Sequence, residues 1–388
     1  MEGVPVIFST FSAALVALAV SWLLTPLVRK VAFRFGALAE PNHRTIHKNS
    51  IPKLGGLAIY AGFLCSVLLL WPHAGFDNLL LALLVGGGMV ACLGLLDDLY
   101  VLSCYTKLAV QSIAAAIAIY AGFSFEAISL PLAGRVELGM AALPLSALWI
   151  VGLMNALNLM DGVDGLASGF SIWVALVLCG LAVTTGQLEL AAFTLVVAAT
   201  TLGFLRYNLS PASIFMGDTG SLFLGFALSC LSIKIVTPQS GTIALLPALM
   251  IFAYPIMDMT LAVIRRVSTG QHPFWADRLH IHHRLLETGL KQPHAVLVIL
   301  VASVIFTASG LLPFFLHTTW SIVPVSVVIG LSCFILAKLG CFGFFRAGWR
   351  KKEITIRFVD ETTGRPVLNQ VPPPARDGVV LEKESEAA

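Results

Sequence analysis

The sequence predicts an all-α polytopic membrane protein of about eleven transmembrane helices, with its N-terminus outside and its C-terminus cytoplasmic. Three observations predict it. The 388 residues are 57% hydrophobic and only 12% charged, where an ordinary soluble domain carries roughly a quarter charged residues. Apolar runs long enough to cross a bilayer, which takes roughly 17–25 residues, recur at 5–28, 54–72, 77–96, 107–124, 140–157, 168–186, 188–205, 212–236, 243–264, 294–316 and 319–339. With loop 29–53 set inside and the sides alternating, all but Arg135 and Lys234 of the 24 Lys and Arg residues fall on the inner face, the bias that orients membrane proteins.

The chain divides into a transmembrane domain over 1–345 and a cytoplasmic tail over 346–388. Its first run lacks a basic leader and carries Glu2, so it reads as a retained helix and not as a cleaved signal peptide. The inner loop that follows holds His47, Lys48, Lys53, Gly55 and Gly56, where glycines beside lysines let backbone amides approach an anion. The third run ends in Asp97-Asp98. Adjacent helical residues point about 100° apart, so the pair can divide labour, one toward a metal or phosphate and one toward a nucleophile. Capping of the helix exit is the bland alternative, disfavoured by the negative end of the helix dipole. Lys107 opens the fourth run with Gln111 one turn later; it can hold a phosphate oxygen as a point charge or snorkel to the lipid head groups.

The fifth run ends in Asn155, Asn158, Asp161 and Asp164, interleaved with Gly162 and Gly165. Carboxylates at a membrane helix are costly, which makes functional use the default reading. Three-residue spacing on a helix would bring these four to one side, and oxygen ligands of this kind suit Mg2+. A polar clamp between helices is the competing structural use. Thr184–Gln187 is expected to make a tight turn between the sixth and seventh runs. Asp218 opens the eighth run between Gly217 and Gly220, at a helix start that favours carboxylate and phosphate, although plain N-capping would use the same residue. Asp258 lies within the ninth run and is expected to pair with Arg265 or Arg266.

The loop after that run carries the densest donor cluster, Pro273 to Arg284, including His280, His282, His283 and Arg284. Its spacing does not match a helical zinc pair. Guanidinium and imidazole beside an aromatic residue suit a phosphorylated or nucleotide ligand, or else lipid phosphates. The tail alternates over Ile354–Val359, which allows a short strand pair, then runs through Pro372–Pro374 into an acidic end expected to be disordered. The seven cysteines form no CxxC pair and are read as reduced packing residues. Neither a GxxxxGK[ST] nor a GxGxxG fingerprint is present.

The motifs PKLGG (52–56), LDD (96–98), Ser103/Lys107/Gln111, NALNLMDGVDGLASG (155–169), FMGDTGS (215–221), PIMD (255–258) and DRLHIHHR (277–284) resemble, in the same order, those of the polyprenyl-phosphate N-acetylhexosamine-1-phosphate transferases. The HIHHR segment resembles the WecA and TagO branch of that family. The resemblance implies a Mg2+-dependent enzyme, with Mn2+ as a substitute, at the inner face of the bacterial cytoplasmic membrane. It would move N-acetylhexosamine-1-phosphate, most simply GlcNAc-1-phosphate, from a UDP-N-acetylhexosamine donor to undecaprenyl phosphate, releasing UMP at the start of a cell-envelope polysaccharide. Asp97, Asp98, Asp161 and Asp164 would be catalytic carboxylates. Asn158 and Asp218 would hold the metal, and Lys53, Lys107, Asn155, His280, His282, His283 and Arg284 would bind substrate. Membrane lipids are the implied surroundings, nucleic acid is not an implied partner, and a homodimer is compatible with the resemblance.

Two other classes accommodate buried carboxylates. An ion-coupled transporter or flippase would place them near the bilayer midplane, whereas these clusters sit at the inner ends of the runs. A CDP-alcohol phosphatidyltransferase needs AR after its DG pair, but Asp161-Gly162 is followed by Val163-Asp164-Gly165.

Overall fold

The computed structural model describes residues 3–39, 50–74, 78–130, 134–236, 242–272, 279–316 and 322–342, together with the backbone of 358–359 and 366–367. Every apolar run folds as a helix. These are α1 (Gly3–Phe35), α2 (Gly56–Ala74), α3 (Asn78–Tyr100), α4 (Cys104–Tyr120), α5 (Ala142–Met160), α6 (Leu166–Thr184), α7 (Leu188–Asn208) and α8 (Gly217–Ile235), followed by α9 (Leu245–Ile251), α10 (Ala253–Ser268), α11 (Ile281–Glu287), α12 (Gln292–Leu316) and α13 (Ile322–Lys338). Among the described residues, seven helices are long and apolar enough to cross a membrane, or eight if α9 and α10 count as one bent span. The protein is a helical, multi-pass membrane protein.

The bend is the main departure from the sequence reading, which has one straight span over 243–264. The structure breaks it at Phe252, with α9 and α10 inclined by 78°. Pro255 supplies the reason. It has no N–H to give the carbonyl of Ile251, four residues earlier, and its ring crowds that carbonyl, so α9 ends there.

Short strands are the second departure from an all-α expectation. Leu38–Ala39 (β1) pairs antiparallel with Ile51–Pro52 (β2). Ala127–Leu130 (β3) forms a hairpin with Gly134–Glu137 (β4), and Thr242–Ala244 (β5) joins β3 in parallel. That three-stranded sheet follows the C-terminal ends of α4 and α8, opposite the ends that carry the acidic residues. The chain beyond Cys341 forms a separate unit, in which Phe358–Val359 (β6) pairs with Pro366–Val367 (β7). The expectations for His47, Lys48, residues 273–278 and most of the tail lie outside the described residues.

Helix α8 is the central post. Leu222, Phe223, Leu224, Phe226, Leu228 and Leu231 are all fully buried along it. In lipid, such packing depends on small residues that let backbones touch, and the contacts here are of that kind. A side chain at Gly56 would overlap the Gly220 backbone, and one at Gly94 would overlap the carbonyl of Asp218. A Cβ on Gly225 would lie 2.6 Å from the Met154 Cα. Helices α2, α3 and α5 are thereby drawn against α8, which places Asp98, Asn158 and Asp218 within reach of one another.

Candidate active site

The site starts where α8 starts. Gly217 adopts φ +70°, a left-handed conformation natural only for glycine. Three donors of the first turn, the amides of Asp218 and Thr219 and the Thr219 hydroxyl, turn toward α3. All three reach Asp98, 5% exposed. Oδ1 accepts from the Asp218 amide at 3.1 Å, while Oδ2 accepts from the Thr219 amide at 3.1 Å and the Thr219 Oγ1 at 2.8 Å. A carboxylate on α3 therefore caps α8 across 120 residues of sequence, at the positive end of the helix dipole.

Its neighbour Asp97 does different work. Oδ1 accepts from the Leu102 amide at 2.6 Å, and Oδ2 accepts from Lys107 Nζ at 3.0 Å. Between α3 and α4 the chain passes through Val101 at φ 54°, strained for a β-branched residue. Ser103 then caps α4, its side chain accepting from the Thr106 amide at 3.1 Å. This turn brings Lys107 back over Asp97. Lys107 also donates to Asp218 Oδ2 at 2.8 Å, so one ammonium joins two carboxylates from α3 and α8. The division differs from the metal-and-nucleophile split expected of the Asp pair: Asp98 anchors α8 and Asp97 holds the lysine.

Helix α5 supplies the amides. Asn158 Nδ2 donates to Asp218 Oδ1 at 2.8 Å and to Ser221 Oγ at 3.0 Å. Asn155 lies one turn back and pairs with Gln111 of α4, donating from Nδ2 to Oε1 at 2.7 Å. That bond ties α4 to α5 behind the lysine.

The four-residue stripe Asn155, Asn158, Asp161, Asp164 is only half a stripe. Helix α5 stops at Met160, and Gly162 and Gly165 carry a turn ending at φ +75°, so the two carboxylates diverge. Asp161 remains partly exposed as a residue, but its carboxyl turns inward. Burial and then the charges of Asp218 and Asp98 push its pKa well above the usual carboxylate range, against the hydrogen bond from the Gly217 amide. Asp164 points away from this group, and its Oδ2 accepts from the Ala212 amide at 3.0 Å. Asn208 completes that brace. Its Oδ1 accepts from the Gly165 amide and from Ser168 Oγ, and its Nδ2 donates to the Ile214 carbonyl. Asp164 and Asn208 therefore lock the turn after α5 to the loop before α8.

The PKLGG segment lies along the same loop. The Gly55 and Gly56 amides do not face an anion, as expected from the sequence; they donate to the carbonyls of Phe215 and Met216 at 2.9 and 2.8 Å. The glycines are needed because a side chain at Gly55 would overlap the Phe204 ring and the Phe215 carbonyl, and one at Gly56 the Thr219–Gly220 backbone. Lys53 is positioned by the same lacing, its carbonyl against Gly217.

The histidine cluster docks from α11. Asp258 does not pair with Arg265 or Arg266, as the sequence suggested; it binds His280 Nδ1 at 2.8 Å and the Ile281 amide at 2.8 Å. His282 is 1% exposed, stacked on His280 at 5.6 Å and in ring contact with His283 at 4.3 Å. Burial, reinforced by His283, holds the His282 pKa down at about 3, so its imidazole is neutral at any working pH. A Cβ on Gly162 would sit 3.3 Å from its Nε2, so this ring lies against the turn that carries Asp161. Arg284 forms an ion pair with Glu287 at 3.1 Å.

Asp97, Asp98, Lys107, Asn158, Asp161 and Asp218 thus form one group, with Asn155 braced behind it. His282 meets its edge through Gly162, and Asp164 lies outside. Thr219, Ser221 and Asn208 belong to the machinery but were not singled out from the sequence. The first two sit inside FMGDTGS and could have been noticed there; only the fold shows Asn208. Among the described residues, no three His, Cys, Asp or Glu side chains form a metal cage. Asp97, Asp98, Asp161 and Asp218 nevertheless bring four carboxyl groups together, and Lys107 pairs with two of them, Asp97 and Asp218. That surplus of carboxylate oxygen fits Mg2+, which binds through one or two carboxylates and completes its shell with substrate phosphate and water.

The chain is similar in sequence to known proteins. The sequence profile of Glycosyl transferase family 4 matches residues 80–236, the segment holding all six grouped residues. A "Probable undecaprenyl-phosphate N-acetylglucosaminyl 1-phosphate transferase" of Bacillus subtilis is 39% identical over 331 residues, covering 85% of this chain and 89% of that protein. A "Decaprenyl-phosphate N-acetylglucosaminephosphotransferase" of Mycolicibacterium smegmatis is 33% identical over 347 residues, covering 82% and 86%. An "Undecaprenyl-phosphate alpha-N-acetylglucosaminyl 1-phosphate transferase" of Escherichia coli O157:H7 is 30% identical over 332 residues, covering 83% and 87%.

Proposed function

This chain belongs to glycosyl transferase family 4, and from that premise we propose that it transfers GlcNAc-1-phosphate from UDP-GlcNAc to undecaprenyl phosphate. The products are undecaprenyl-diphosphate-GlcNAc and UMP, the first committed lipid-linked sugar of a cell-envelope polysaccharide. The observation that carries this reading is the meeting of Asp98, Asn158 and Asp218 with Lys107 at the C-terminal ends of α3 and α5 and the N-terminal ends of α8 and α4. The charge distribution supports eleven spans with the N-terminus outside, which sets these ends at the cytoplasmic face of the bacterial inner membrane, where UDP-sugars are available.

An oxygen of the lipid phosphate attacks the sugar-linked phosphorus of the donor. The bond from that phosphorus to the bridging oxygen breaks, and UMP leaves with that oxygen. A phosphate monoester has its second pKa near 6, so the acceptor is largely dianionic at neutral pH and needs no strong base. Bringing two anions together is the harder problem. Lys107, already suspended between Asp97 and Asp218, can move its ammonium onto a phosphate oxygen at little structural cost. Asp98 has both oxygens engaged by α8, which suits positioning better than attack; Asp97, whose Oδ2 is held by Lys107, is the carboxylate able to orient the acceptor once that lysine turns to phosphate. Asp218, Asn158 and Asp161 would hold Mg2+, and the ion when bound neutralises diphosphate oxygens. The relief of the crowded charge on Asp161 favours that binding.

Purified protein given UDP-GlcNAc and undecaprenyl phosphate in detergent should release UMP. EDTA should abolish the release, and Mg2+ or Mn2+ should restore it. UMP release undiminished in EDTA would remove the metal from the account, and absence of UMP under all conditions would remove the reaction.

A further inference from the structure

We infer that Asp258 is a positioning residue: from inside α10 it sets the tautomer of His280 and docks the start of α11, and so aims His282 at the turn carrying Asp161. This rests on the reading of the site as a UDP-sugar transferase and adds to it the part that organises the donor side.

The geometry is a fork. Asp258 is 3% exposed and His280 5%, and the two carboxylate oxygens divide between two donors. Oδ1 takes the Ile281 amide, the first of α11, and Oδ2 takes His280 Nδ1, each at 2.8 Å. His280 is the N-cap of that helix, yet its side chain makes no capping bond. The first amide of the helix, which has no partner within it, is served from α10 instead. An ionised carboxylate only accepts, so Nδ1 carries a proton, and in the neutral ring Nε2 is the nitrogen left to accept. A second ring nitrogen is commonly oriented in this way by a carboxylate behind it.

The effect then passes through the rings. His280 and His282 lie parallel, 5° apart in plane and 5.6 Å between centroids. His282 has no freedom to turn, being 1% exposed and flanked by Gly162 on its Nε2 side. Its Nδ1 is buried without a hydrogen-bond partner, which leaves a polar atom for a bound donor to satisfy. The low pKa of His282 agrees with this, because only a neutral ring tolerates that burial. Asp258, His280, His282 and Gly162 thus form a continuous line from α10 to the edge of the carboxylate group. Arg265 and Arg266 are near in sequence, but the carboxylate has turned from them to the histidine loop.

Asp258→Asn tests this with little change of shape. The amide oxygen can still accept from Ile281, but the amide nitrogen must donate to His280 Nδ1 and so forces the proton onto Nε2. The expected result is a rise in KM for UDP-GlcNAc of about ten- to a hundredfold, with KM for undecaprenyl phosphate unchanged within assay error. His280→Gln, which leaves Asp258 charged and α11 docked through Ile281, should show the same donor-selective rise. The double variant should be little worse than either single one, because both break one linkage. An unchanged donor KM, an equal rise for both substrates, or full multiplication of the two effects would overturn the inference. Should Asp258→Asn not fold, the His280→Gln split between the substrates decides alone. Wild-type protein that makes no UMP would sink the transferase reading itself; active wild-type protein with donor-blind variants would sink only this inference.

Discussion

Asp218→Asn is expected to reduce UMP release on the order of 100- to 1,000-fold in a protein that remains folded. The side chain sits in the first turn of α8, where it accepts from Lys107 and from Asn158 at 2.8 Å each. Asparagine keeps the volume and one acceptor. It loses the charge that holds the ammonium in place and the oxygen best placed to share a divalent ion. Lys107 keeps Asp97 as a partner, so the fold survives the loss. The check is kcat/KM for UMP release beside size-exclusion behaviour in detergent. A well-folded variant within a few-fold of wild type would remove Asp218 from the chemistry.

Gly217→Ala is expected to act one residue away and by a different route, through loss of the folded site. A Cβ there would lie 2.6 and 2.8 Å from the Asp98 carboxylate oxygens and would overlap the Lys53 carbonyl. None of these atoms can withdraw freely, since Asp98 caps α8 and the Lys53 amide donates to the Ala37 carbonyl. The φ of +70° adds strain of its own. Overpacking and left-handed strain together should cost on the order of 3–5 kcal/mol, a large share of a domain's stability. Thermal unfolding in detergent should show a markedly lower transition with UMP release lost. A transition and activity like wild type would mean that the α3–α8 junction is looser than described.

The two variants mark what was legible in the sequence and what was not. Apolar run length located every long helix, because a membrane segment must satisfy its own backbone and leaves a long apolar signature, whereas the short α11 lies between runs. The break at Phe252 was written in Pro255, but a mostly apolar stretch of 22 residues reads as one span when only hydropathy is followed. Periodicity set Asn155 and Asn158 on one face correctly and then failed at Gly162, where the helix ends and sends Asp161 inward and Asp164 aside. The motifs carried Asp97, Asp98, Lys107, Asn158 and Asp218, whose residue types betray them in an apolar chain. Their partners were hidden for another reason. The bond from Thr219 to Asp98 spans 121 residues and that from His280 to Asp258 spans 22, and no local pattern in a single sequence records which distant donor a carboxylate will meet. Asp258 illustrates the cost: proximity suggested Arg265 or Arg266, and the fold chose a histidine.

Sugar-1-phosphate, and not sugar alone, should pass between two anions gathered at one set of helix ends. UDP-GlcNAc labelled at its β-phosphorus, given to the purified protein with undecaprenyl phosphate, tests it most directly. The label should move into the organic-extractable lipid in step with release of unlabelled UMP. Label retained in water-soluble UDP, with the sugar alone appearing on the lipid, would contradict the account.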